Sequence, residues 1–189
     1  MPLTNGHYPA KNPQWMAAGQ PSGTYRTNLE RALVVSDFAA LTTQVMQSTA
    51  LYLQAGDLVT NLTFKSGATA AATPTNWWFA LYSDDATPVL LAQSADQTTA
   101  AWAANTAKTL ALSSPVNIPR SGLYSAAVMV KAGTTPSLLG AGTILGAVSG
   151  FVAGDMVLAQ NSGASLVATA PSTITSGAAI GFVPRVVAT

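Results

Sequence analysis

The sequence predicts an all-β protein: an antiparallel jelly-roll-like β-sandwich over residues 24–189, preceded by an extended N-terminal arm over residues 1–23. Three observations carry that expectation. Residues 51–130 break into runs of strand length, YLQAGDLVTNLTF, NWWFALYSDD, PVLLAQSADQTTAAWAANTAKTLAL and SGLYSAAVMV, separated by short polar turns. The first 23 residues hold Pro2, Pro9, Pro13 and Pro21 with Gly6, Gly19 and Gly23, a density that no regular helix or central strand tolerates. A turn is also used twice, because Leu53-Gln54-Ala55-Gly56-Asp57-Leu58-Val59 is echoed by Phe151-Val152-Ala153-Gly154-Asp155-Met156-Val157, as suits a sandwich whose halves are built alike.

In chain order, the arm carries Tyr8, Trp15 and Met16, side chains that a merely solvated tail has no reason to contain. It reads as a docking segment with those three residues as anchors. Residues 24–38 read as a strand on Leu33-Val34-Val35, although Leu29, Ala32, Leu33 and Phe38 would also fit one face of a short helix. Residues 41–53 alternate, with Val45, Thr49, Leu51 and Leu53 on one parity and Gln44, Met46, Ser48 and Tyr52 on the other. Ala55-Gly56-Asp57 turns the chain into a partner strand at 58–64.

A loop is expected at 66–75, then the aromatic strand at 76–83, where Trp77, Phe79 and Leu81 point one way and Trp78, Ala80 and Tyr82 the other. Two aromatic faces need two covers. Trp77, Phe79 and Leu81 are the expected core set, and Trp78 and Tyr82 are expected to meet another sheet, the arm or a neighbouring subunit. Strands follow at 89–92, 109–112 and 122–130, with Trp102 on a polar loop between the first two and Pro115 and Pro119 bounding the connection before the third. The charge-free stretch 138–154, with Gly142, Gly146, Gly150 and Gly154 at every fourth position, is too short and too glycine-rich for a membrane span and reads as a loop with a short strand or helix. Strands at 157–160, 165–168 and 178–187 close the domain, with Asn161-Ser162-Gly163 as a hairpin turn.

Composition narrows the function. Charged residues make up 8% of the chain, against roughly a quarter in ordinary globular proteins. A surface so poor in charge is weakly protected against association, so much of it is expected to face other subunits. The eight Lys and Arg residues are dispersed between Lys11 and Arg185, without the basic stripe that nucleic acid requires. The opening MPLTNGHYP has neither the basic nor the apolar region of a secretion signal.

Chemistry has few carriers. With one His, no Cys and seven acidic residues, no metal or cofactor site and no nucleophile with its base can be assembled. His7 lies in the arm. Asp84-Asp85 suits a turn better than a calcium site, and Asp57, Asp96 and Asp155 have turn roles that compete with any glycosidase reading. The aromatics support one other function: Trp78 and Trp102, if exposed, would stack on sugars as in a carbohydrate-binding module that adheres to a host surface.

The runs WWFALYSDD, LLAQSADQTTAAWAANTAKTLAL and IPRSGLYSAAVMVKAGTTPSLLGA together resemble the recurring domain of minor tail, tail-fibre and related virion proteins of actinobacteriophages, over about residues 40–145. The resemblance implies a jelly-roll-like sandwich and a virion location, with assembly in the host cytoplasm. It brings no functional residue. The expected function is that of a non-enzymatic minor tail or capsid decoration protein. Its partners would be other virion proteins and copies of itself, in a homo-oligomer such as a trimer, with neither nucleic acid nor membrane. Tyr8, Trp15, Met16, Trp78 and Tyr82 are the expected interface residues, and Trp78 and Trp102 the glycan contacts.

Overall fold

The computed structural model describes residues 24–142 and 145–189. The expected arm, with His7, Tyr8, Trp15 and Met16, lies outside the described residues. The rest is the antiparallel β-sandwich that the sequence predicts. A six-stranded sheet contains β3 (Met46–Leu53), β5 (Ala72–Tyr82), β6 (Leu90–Gln93), β8 (Gly122–Thr134), β10 (Ala159–Ser162) and β11 (Ala178–Ala179), in the order β11-β10-β3-β8-β5-β6. Facing it is a sheet of β1 (Arg26–Thr27), β4 (Leu58–Lys65), β7 (Ala107–Asn117) and β13 (Val186–Ala188), in the order β1-β13-β4-β7. A three-stranded sheet, β12-β9-β2, is built from β2 (Ser36–Asp37), β9 (Leu139–Gly142) and β12 (Phe182–Pro184). The chain passes from one main sheet to the other between β3 and β4, β4 and β5, β6 and β7, and β7 and β8, as in a jelly roll.

Parity decides which side chains fill the space between the sheets. Leu51 and Leu53 of β3, Trp77, Phe79 and Leu81 of β5 and Val128 and Val130 of β8 meet Leu62 and Phe64 of β4, Leu110 of β7 and Val186 of β13 in one apolar core. The two main sheets are also joined at an edge. Between Val59 and Asn61 the β4–β7 ladder slips, so residues 112–115 of β7 have no β4 partner, and Leu112 bridges Ser94 beyond β6 instead. Pro115 falls in that interruption on the sheet's edge, so its missing N–H costs no ladder bond. It interrupts β7 rather than bounding it.

Several boundaries move. β5 begins at Ala72 inside the expected loop, and β3 begins at Met46, after a turn in which Val45 N donates to Thr42 O. Residues 24–38 hold both readings in part: β1, a 3-10 turn at Arg31–Leu33, and β2. The stretch 138–154 forms β9, then a short helix α1 (Leu145–Ser149), then the second Ala-Gly-Asp turn. Residues 165–168 form no ladder. Asn161 and Ser162 end β10, and the chain leaves through Gly163 into a long covering segment rather than a hairpin.

The two Ala-Gly-Asp turns are the same structure. Asp57 N donates to Gln54 O at 3.0 Å and Asp155 N to Val152 O at 3.2 Å, each closing a four-residue turn. Gly56 and Gly154 occupy the third position at φ of 88° and 94°, where any Cβ is strained. In both turns the Asp carboxylate reaches back, Asp57 Oδ2 accepting from Gln54 N at 2.8 Å and Asp155 Oδ2 from Val152 N at 3.1 Å.

Candidate functional site

The aromatic residues of β5 and the following loop were the leading candidates for contact with a partner or glycan, and the fold encloses all of them. Trp77 stacks on Trp102 at 5.1 Å between centroids, with Phe79 edge-on to Trp102 at 5.5 Å and to Phe64 at 4.8 Å. Trp102 therefore plugs the core from the loop, its indole N–H donating to Thr106 O at 3.0 Å, and it has no exposed face for a sugar. A large ring inside the charge-free run TTAAWAANTA, flanked by alanines, was the signal that this loop folds inward.

Trp78 and Tyr82, on the opposite face of β5, are also fully buried. Their cover is the chain's own segment 163–174. Met46, Ala127 and Met129 flank them on the sheet, and Ala170 and Ile174 close the top with Leu166. The indole N–H of Trp78 donates to Val167 O at 2.6 Å and the hydroxyl of Tyr82 to Pro171 O at 2.9 Å. Gln93 pins the same segment from both sides, Nε2 donating to Ala168 O at 3.0 Å and Oε1 accepting from Ala170 N at 2.6 Å. Burial pushes the Tyr82 hydroxyl well above the usual phenol range.

The carboxylates are engaged in structure. Asp57 forms a buried two-point pair with Arg26, Nε to Oδ2 at 2.8 Å and the terminal nitrogen to Oδ1 at 2.7 Å, while Arg26 also reaches Gln54 Oε1 at 3.0 Å. Asp96 accepts from Trp77 N at 2.9 Å and Thr98 N at 3.1 Å, fixing the start of the loop that carries Trp102. Asp84 and Asp85 hold Arg120 rather than an ion, and the hydrogen bond from Ser83, then that from Arg120, keeps the Asp85 carboxyl below its usual range. Backbone amides of Val152 and Phe151 do the same for Asp155. Among the described residues no three His, Cys, Asp or Glu side chains converge on a metal-sized site. A cleft of about 580 Å³ lies between residues 84–88, 154–157 and 174–177. Its acids are those already committed to Arg120 and to the second turn.

The fold leaves several large apolar side chains open. Phe151 is 84% exposed and Val152 69%, at the tip of the second Ala-Gly-Asp turn, with Leu145 of α1 also exposed; on the 29–35 segment Val35 is 72% and Leu33 53% exposed. Both segments flank a minor core of Val148, Ala159 and Val183, against which Leu29 and Val157 pack. Sequence reading missed Phe151, which follows Gly150 rather than a strand and so has no sheet to bury it; Leu53, its counterpart in the first turn, ends β3 and is fully buried. Among the described residues no helix is long and apolar enough to cross a membrane. No protein-family model matches the chain, and no curated protein matches it.

Proposed function

We propose that the chain is a non-catalytic structural component of a tailed-bacteriophage virion, a minor tail or capsid decoration protein that docks on other virion subunits and on copies of itself. The observation that carries this reading is the exposed apolar set of Val35, Leu145, Phe151 and Val152 on a chain with only 8% charged residues. Isolated exposed apolar side chains are ordinary, but an adjacent Phe-Val pair at a turn tip held by its own Asp is a preformed contact surface. The resemblance over residues 40–145 supplies the kind of particle. The engaged carboxylates agree with a structural role, since each candidate acid holds a turn or an arginine. Glycan stacking loses its platform because the rings of Trp78 and Trp102 lie inside the fold. Mass spectrometry of washed particles, with heads and tails separated, tests the proposal: the chain is expected in one fraction at a fixed copy number, and its absence from both overturns the reading.

A further inference from the structure

Three of the chain's eight basic residues, distant in sequence, line one cleft of about 260 Å³: Arg31, Lys65 and Arg185. The fold builds this meeting deliberately. Lys65 ends β4 on the outward parity, two residues beyond Thr63, which faces Val187 across the β4–β13 ladder. Arg185 occupies the corner between β12 and β13, with its N–H on Leu139 O at 3.0 Å and its Nε on Leu29 O at 3.1 Å. The 3-10 turn bearing Arg31 is stitched to the same corner by Asn28, whose Nδ2 donates to Pro184 O at 2.9 Å and whose Oδ1 accepts from Val186 N at 3.0 Å.

No carboxylate lines the cleft, and none of the three cations forms an ion pair among the described residues. Glu30 precedes Arg31 yet pairs with none of them. The other two arginines, Arg26 and Arg120, are both matched to aspartates. Three like charges gathered in one concavity repel each other and concentrate a positive field there, an arrangement that an anion relieves.

We propose that this cleft binds a small oxyanion of the phosphate class. Two guanidinium forks and one ammonium match the several oxygens of a tetrahedral group, and a dianion offsets three cations more completely than a single carboxylate does. The walls of Val34, Leu139 and Val187 suit a compact body attached to the anion, and three charges gathered in one cleft do not make the stripe that a nucleic-acid backbone needs. This site is independent of the virion reading.

The test is an NMR titration of the full chain at low ionic strength with inorganic phosphate, glycerol 2-phosphate and, as the carboxylate arm, succinate. Saturable shifts confined to the amides around Thr63, Lys65, Ala107 and Leu139 are expected, with phosphate or its ester saturating first; the order of those two separates a free ion from a phosphomonoester. Arg31→Ala with Lys65→Ala should weaken the binding by about tenfold or more. Both side chains are exposed and make no hydrogen bond among the described residues, so the fold survives their loss. Arg185→Lys, which keeps the charge and loses the fork, should weaken it less. Shifts that do not saturate, that sodium chloride reproduces or that the double variant retains would mean an adventitious ion only and overturn the proposal. So would succinate saturating before phosphate, or an oligonucleotide binding more tightly with a steep salt dependence.

Discussion

At the scale of single residues, two adjacent side chains of one type are buried by different parts of the chain. Trp77 and Trp78 are neighbours on one strand, and each is buried, the first by the opposing sheet and the second by residues 163–174. Trp78→Ala should therefore cost about as much stability as Trp77→Ala, roughly 3–5 kcal/mol each, read by chemical denaturation; a surface aromatic would cost almost nothing. Asp57 presents a different energetic problem, a charge removed from water together with Arg26. Asp57→Ala strands that guanidinium and should destabilise by about 3–5 kcal/mol, whereas replacing both partners by apolar residues should cost clearly less. The parity of β5 was legible in the sequence because period two is local. The identity of the second cover was not, since the strand read at 165–168 joins no ladder and the segment's hold on Trp78 and Tyr82 runs through backbone carbonyls that any residue supplies.

At the scale of elements, the repeated turn shows how far a short motif reaches. Ala-Gly-Asp specifies the positive φ and the carboxylate cap in both copies, and that much was readable from seven letters. What differs lies outside the motif: Arg26 clamps the first turn from β1, while the second has its Asp carboxylate on two amides alone, Phe151 N at 2.7 Å and Val152 N at 3.1 Å. Asp155 is held below its ordinary value of 3.8, by the Val152 amide first. A depressed carboxylate stabilises the folded turn above the unfolded pKa and loses that contribution as pH falls through the folded one. The Phe151 and Val152 amide resonances should thus be constant from neutral pH down to about 4 and move together below it, and Asp155→Asn should abolish the transition. Tyr82 works at the other end of the scale. Its raised pKa means stability is complete below its ordinary value of 10.0 and declines as pH rises beyond that, so alkaline unfolding should begin there and lessen in Tyr82→Phe.

At the scale of the whole molecule, the proposed virion role turns on which surface would join the particle. The sequence points to residues 1–23, with Tyr8, Trp15 and Met16 as anchors; the structure exposes Phe151 and Val152. The two can be separated because the described core is built within residues 24–189. Among the described residues the main core draws on residues from Leu41 to Ala188, and the first strand to join a sheet starts at Arg26. Deleting residues 1–23 should therefore leave the thermal midpoint and the cooperativity of unfolding unchanged. Phe151→Asp should be equally silent, since the ring is 84% exposed and its removal opens no cavity. Both variants then report on docking alone. If the arm is the anchor, ordering it on a neighbour costs about 1–2 kcal/mol per residue, so its buried aromatics must supply most of the contact energy, and the deletion should abolish incorporation into particles while Phe151→Asp reduces it modestly. If the turn tip is the anchor, the order reverses, because a carboxylate placed in a dry contact costs several kcal/mol while a missing arm costs only what it contributed. Occupancy measured by quantitative mass spectrometry of purified particles, for the intact chain and the two variants side by side, distinguishes these outcomes, and full occupancy of both variants would mean that neither surface is the docking site.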